Sequence, residues 1–288
     1  MNRPTLEQFI YNLHSKQTAD SYLYQINHFL QTNKKAAKYK HSDIVAYMEN
    51  LIAKHPKANY RRTILAAIKK YYDYLVLYNY RKDHPCKKLV IKGGSRYIQV
   101  QDLFTSDELQ LLFNRENRYQ YLEVRNKIII GLMIYQALTS EELTRLTVSN
   151  IHFDKGEIYI KRSHNLSRRK LALRASQITE LQLYINEHRK KLLKSKTNRL
   201  IIGTRGVPIT VDGIHSIIDQ LKGLFPDRKL SPATIRQSVI SNLLNEGKYS
   251  LEDVQQFAGH KWVSTTANYI RPDADQQRRI INQFHPLG

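Results

Sequence analysis

Residues Phe257–Ile270 read FAGHKWVSTTANYI, and Leu230–Val239, shortly upstream, read LSPATIRQSV. In the first stretch Gly259 follows Leu251, Val254 and Phe257 at helical spacing, and glycine tolerates the left-handed conformation just past a helix end. His260 then projects from a fixed turn, where an imidazole can donate to an anionic oxygen. Tyr269 comes nine residues after His260, on an expected short helix that begins near Ser264 and packs through Val263, Thr266, Ala267 and Ile270. A tyrosine hydroxyl is a weak nucleophile, with an unperturbed pKa of about 10, so neighbouring cations would have to favour the phenolate. In the second stretch Ser231-Pro232 is a cap followed by proline at the first helical position. Arg236 shares that helix with Ile235, Val239 and Leu243, which places it at the rim of a cleft. Arginine donates two parallel hydrogen bonds and stays charged at any working pH, which suits it to the charge that grows on a phosphodiester under attack.

The composition says what such groups would meet. The 288 residues carry 46 Lys and Arg against 25 Asp and Glu, a net charge of +21. Self-repulsion of that size penalises the compact state unless a polyanion offsets it, and nucleic acid is the expected partner. The basic residues are interspersed with apolar ones, so the charge belongs to a folded surface and not to a tail. The single cysteine, Cys86, excludes an intrachain disulfide and a cysteine-based zinc cluster and reads as a small apolar filler. No apolar run reaches the ~18 residues of a membrane span, and Met1–Pro4 lacks the start of a signal peptide, so a cytoplasmic location is expected. The 19 tyrosines sit mostly at helical spacing beside apolar residues, as core rims with a wet hydroxyl, so their abundance singles out no nucleophile.

Four amphipathic patterns fill the first ninety residues: Leu6 to Leu13, Tyr22 to Leu30, Ile44 to Ile52 and Ile64 to Leu75. They predict an all-helical domain over 1–91, its last helix stopped by Asp83-His84-Pro85. A basic linker over 92–104 follows, in which Lys92, Gly93, Gly94 and Arg96 combine flexibility with positive charge. The second domain, 105–288, is expected to open on a helix capped at Thr105 and to be built around a buried helix from Arg125 to Ala137. Two strands, Glu157–Ile160 and Lys170–Leu173, are joined by a basic turn, with Arg199–Ile202 as a third. Helices are expected over 176–193, 211–224, 232–246 and 250–258. The fold class is mainly α, with a small antiparallel sheet in the second domain.

Arg236, Gly259-His260 and Tyr269, in that order and spacing, resemble the C-terminal signature of the tyrosine recombinase (phage integrase) family. The likeness extends over nearly the whole chain. Residues 1–91 resemble the family's SAM-like core-binding domain and 105–288 its catalytic domain, which implies a C-shaped clamp on double-stranded DNA. It also implies cleavage and rejoining of DNA through a 3′-phosphotyrosyl intermediate, with Tyr269 as nucleophile and Arg236 and His260 holding the phosphate. Such a bond stores the energy of the backbone, so no metal or nucleotide cofactor is implied. The resemblance further implies a tetramer on DNA, of one chain or of two related recombinases, and a role in the integration of a mobile element.

The chain departs from the family's pattern at several positions. Ala137-Leu138-Thr139-Ser140-Glu141-Glu142-Leu143 stands where the family has Gly-Leu-Arg-x-x-Glu-Leu, which puts Thr139 at an arginine position. Loss of one transition-state donor costs about 10²–10³ in rate, and Arg145 or Arg125 would have to reach in instead. Ala233 replaces the histidine of His-x-x-Arg. The family's general-acid lysine lies in the turn between its first two strands, where counting lands near Ser163 or His164, and Lys161 is the nearest lysine. Arg162, Arg168, Arg169 and Lys170 in that turn, with Lys92 and Arg96, are expected to contact DNA phosphates. Two readings stand: an active site-specific recombinase, or a catalytically impaired DNA-binding accessory protein on the same fold. A third, an RNA-binding protein, finds no RNA-type aromatic motif.

Overall fold

The four apolar periodicities near the N-terminus fold as α1 (Leu6–Leu13), α2 (Lys16–Thr32), α3 (His41–Lys54) and α4 (Ala58–Leu77) in a computed structural model of the chain. The residues described are 3–92, 102–115, 120–163, 165–247 and 249–270. The chain divides into two units, Met1–Arg96 and Tyr97–Gly288. The division falls within the expected linker, most of which, Arg96 included, lies outside the described residues.

In the first unit Ile10, Ile26, Phe29, Ile44, Ile68 and Tyr72 are fully buried, and Cys86 fills a gap among them. Tyr72 keeps its hydroxyl satisfied by donating to Ala36 O at 2.7 Å, which is how an aromatic with a polar end enters a core. The helix α4 ends at Leu77, well before the expected stop at Asp83. Asn79 takes a left-handed φ of 59° there, a conformation asparagine tolerates, and the Tyr80 N–H turns back to Leu75 O at 2.8 Å.

The second unit is arranged around α6 (Gln120–Tyr135), whose residues Ile128, Ile129, Ile130, Leu132, Met133 and Ile134 are all buried. A helix apolar on every side has to be enclosed, and α5 (Ser106–Asn114), α8 (Ala175–Leu183) and α11 (Pro232–Asn245) enclose this one. Between them lie α7 (Ser140–Arg145), α9 (Arg189–Leu192), α10 (Val211–Asp219), α12 (Leu251–Ala258) and α13 (Val263–Ala267). The helix α8 runs into α9 through a π-helical turn at Tyr184–His188.

The sheet is antiparallel in the order β1 (Ile151–His152), β2 (Glu157–Ile160), β3 (Arg169–Ala172). Its third strand is therefore Ile151–His152. The expected Arg199–Ile202 makes only single bridges, Thr147 to Arg199 and Ile202 to Pro208, because the chain passes these partners without running alongside them. Strand β3 begins one residue earlier than expected, at Arg169, which pairs with Ile160. Since side chains alternate along a strand, that start puts Arg169 on the buried face with Leu171 while Lys170 faces out. Among the described residues no helix is long and apolar enough to cross a membrane.

Candidate active site

Helix α11 is fixed at its start by a reciprocal cap: Ser231 Oγ accepts from the Thr234 N–H at 3.2 Å, and Thr234 Oγ1 accepts from the Ser231 N–H at 2.8 Å. Farther along, Ser238 Oγ accepts from the Phe104 N–H at 2.8 Å and Asn242 donates to Phe104 O at 3.0 Å, which ties the helix to the segment just before α5. Arg236 is thereby carried into the interior, only 7% exposed, and not to the rim of a cleft. Its Nη1 donates to Ala137 O and its Nη2 to Ala258 O at 2.6 Å. Burial lowers its pKa to about 10, with the Glu142 carboxylate opposing that fall, so the guanidinium remains charged near neutral pH. Ala137 turns its carbonyl to Arg236 from a left-handed φ of 49°, a conformation that costs an L-residue roughly 1–2 kcal/mol and is held by this bond and by Leu138 N–H to Leu132 O.

Helix α12 starts at Ser250, whose hydroxyl accepts from the Asp253 N–H, and ends in a Schellman turn. There the His260 N–H donates to Gln255 O and the Gly259 N–H to Gln256 O, each at 3.1 Å. Gly259 takes a φ of 71°, and a Cβ on it would stand 2.7 Å from Arg169 Nη1. Glycine is required here both for its backbone and for the space beside it. His260 is 7% exposed, with Nδ1 2.9 Å from Thr266 Oγ1. Burial, reinforced by Arg236 and Arg169, lowers its pKa to about 4, so the ring is neutral at physiological pH.

Tyr269 lies just past the end of α13 and not within it, its N–H held by Thr266 O at 3.0 Å and its carbonyl by Asn245 Nδ2 at 3.1 Å. Of the expected packing face, Thr266 is buried, but Val263 and Ile270 are exposed, because five residues of helix present little more than one turn to the core. The tyrosine ring stacks on His260, centroids 5.9 Å apart and planes 19° from parallel. Burial raises the phenol pKa and the Arg236 charge pulls it down.

Two further charges share this interior. Arg169 forks onto Glu142, Nη1 to Oε1 at 2.6 Å and Nη2 to Oε2 at 3.2 Å, with both side chains 3% exposed. Burial alone would raise the Glu142 carboxyl, but the Arg169 bonds outweigh it and hold it below the ordinary carboxylate range. Arg169 is thus not a surface phosphate contact as expected: period-two alternation turns it inward, and its Nε is buried with no partner among the described residues. Thr139, at the arginine position of the resemblance, is the N-cap of α7 and exchanges bonds with Glu142. Neither proposed stand-in reaches toward it. Arg145 is exposed and pairs with Glu141, and Arg125 bonds to Asn126 and Ile202 O. The buried cation next to Thr139's partner is Arg169.

The turn between β2 and β3 carries Lys161, Arg162 and Arg168, all exposed, and Lys170 just beyond, which pairs with Glu157 at 3.8 Å. The Ser167 N–H donates to Gly259 O at 2.8 Å and Leu166 bridges His260, so this basic turn rests against the histidine turn. His164 lies outside the described residues, and Lys92 is exposed at the end of the first unit. Sequence reasoning gave Arg169 a surface role and Thr266 only a packing one, and it gave Glu142 none. For Arg169 a signal existed, the alternation with Leu171 and Leu173; for the other two there was none.

A buried arginine and a neutral histidine are thus set around a tyrosine on a helical unit with a small antiparallel sheet. The sequence model of the phage integrase family matches residues 102–276, well over half of the chain, and the protein belongs to that family. Among curated relatives, tyrosine recombinase XerD of Halalkalibacterium halodurans is 25% identical over 224 residues, 77% of this chain and 74% of the relative. Tyrosine recombinase XerC of Pelotomaculum thermopropionicum is 25% identical over 289 residues, 94% and 93% of the two chains. The fold is shared with the XerH site-specific recombinase bound to its difH substrate (TM-score 0.73, 16% identity, 92% of this chain and 79% of that one). It is shared also with the Tn1549 transposon integrase in complex with DNA (TM-score 0.70, 15% identity, 98% and 100%).

Proposed function

We propose that the protein is a site-specific DNA recombinase that cleaves and rejoins duplex DNA through a 3′-phosphotyrosyl intermediate on Tyr269. The observation that carries this reading is the convergence of Arg236, His260 and Tyr269, from three separate segments, on one buried cluster. In the reaction the Tyr269 oxygen attacks the phosphorus as its proton passes to water, and the bond to the 5′ oxygen breaks. That oxygen takes up a proton, for which Lys161, on the turn held against His260, is our candidate donor. Arg236 and His260 face the non-bridging oxygens, where preorganised donors matter most. The phosphotyrosyl bond conserves the energy of the one broken, so a 5′ hydroxyl rejoins the strand by the reverse step.

In this reading residues 1–91 grip the duplex, residues 105–288 carry the chemistry, and Lys92, Arg96, Arg162, Arg168 and Lys170 neutralise backbone phosphates. Four copies, or pairs with a related recombinase, assemble on DNA in the cytoplasm. A second reading, a binding-only accessory protein, is favoured by the use of Thr139, at the family's arginine position, as a helix cap. The test is covalent capture from a library of nicked suicide duplexes of random sequence. Wild type is expected to yield adducts stable to denaturant and Tyr269→Phe none, with DNA affinity nearly unchanged. Adducts from Tyr269→Phe would move the nucleophile elsewhere, and tight binding by wild type without any adduct would establish the second reading.

A further inference from the structure

Thr266 belongs to none of the roles above, yet it touches two of the three proposed active-site groups. Its hydroxyl lies 2.9 Å from His260 Nδ1 and its carbonyl accepts the Tyr269 N–H at 3.0 Å. The side chain is completely buried. Among the described residues His260 Nδ1 is the one hydrogen-bond partner of Thr266 Oγ1, and Nε2 of the ring has none.

We propose that Thr266 is a positioning residue that fixes His260 as its Nε2–H tautomer and holds it in register with Tyr269. A neutral imidazole carries one ring proton, and the bond made by one nitrogen decides what the other presents. Two arrangements fit the 2.9 Å separation. If the hydroxyl donates to Nδ1, its hydrogen is used and the ring proton sits on Nε2. If Nδ1–H donates to the hydroxyl, the hydroxyl hydrogen is left buried with nothing to accept it, which costs free energy that the first arrangement avoids. The first therefore prevails, and Nε2–H is the free donor that a phosphate oxygen requires. The same residue's carbonyl anchors Tyr269, so one turn of α13 spaces donor and nucleophile. This gives a physical reason for Tyr269 standing nine positions after His260.

The assignment rests on the recombinase reading for its purpose but not for its first test. Long-range nitrogen–proton NMR of the full-length protein with labelled histidine, free of DNA, is expected to find His260 Nδ1 unprotonated. A protonated Nδ1 in wild type overturns the proposal. Thr266→Val keeps the shape and removes the hydroxyl; it is expected to mix or reverse the tautomers and to slow adduct formation about ten-fold or more, with affinity for the captured duplex within two-fold of wild type. Thr266→Ser is expected to restore both tautomer and rate. A Thr266→Val protein with the wild-type tautomer and rate sinks the idea. If Thr266→Val does not fold, the wild-type tautomer and the rate of Thr266→Ser decide the matter. Absence of adduct from wild type defeats the recombinase reading and leaves the tautomer result to stand or fall alone.

Discussion

Burial among cations separates the proton affinity of His260 in the folded protein, about 4, from the ordinary 6.5. Between those values the unfolded chain binds a proton that the folded one refuses, so the contribution of this site to stability is full above about pH 6.5 and is lost as pH falls toward 4. The loss is at most about 3 kcal/mol. Glu142, held below the carboxylate range by Arg169, adds a further loss on the acid side of that window, as pH falls through its folded value. Denaturant unfolding at a series of pH values should show wild type weakening from pH 6.5 downward and His260→Gln weakening less over the same interval. Parallel curves for the two proteins would mean that His260 is not the group that titrates. None of this was visible in the residue types, since a histidine after a glycine reads the same whether it is wet or dry.

Helix α7 is only six residues long and owes its start to the Thr139–Glu142 capping box. The cap also aims Glu142 at Arg169, so an element boundary and a buried ion pair share one residue. Thr139→Arg therefore removes a cap, at a cost of about 1 kcal/mol, and sends a further cation toward a site that already buries Arg236 and Arg169. The expected result is a lower denaturation midpoint and adduct formation no faster than wild type. A ten-fold gain in single-turnover cleavage would instead identify a missing guanidinium as the limiting factor. Element starts were legible at Thr105 and Ser231, where a hydroxyl precedes an apolar period, and the glycine end of α12 was legible too. The stop of α4 and the short strand β1 were not, because a left-handed asparagine and a two-residue pairing leave almost no periodic trace.

Over the whole chain the charge of +21 is the dominant physical fact. A surface that neutralises about six to ten phosphates releases their counterions, and its affinity falls roughly 10³–10⁵-fold between 50 and 200 mM salt. Duplex binding by this protein is expected to weaken steeply over that range, and an affinity that barely moves would remove phosphate contacts as its main source. The sequence by itself determined the helical character of both units, the buried central helix, the basic surface, and the order of Arg236, His260 and Tyr269. These depend on periodicity, capping and spacing, which act over a few residues and are written locally. Only the tertiary structure decided that Arg169 turns inward to Glu142, that Thr266 meets His260, and that the Tyr269 ring lies on the imidazole. Those partners come from different turns, strands and helices, and a side chain finds its partner across such distances only when packing in three dimensions excludes water and leaves it one neighbour to bond.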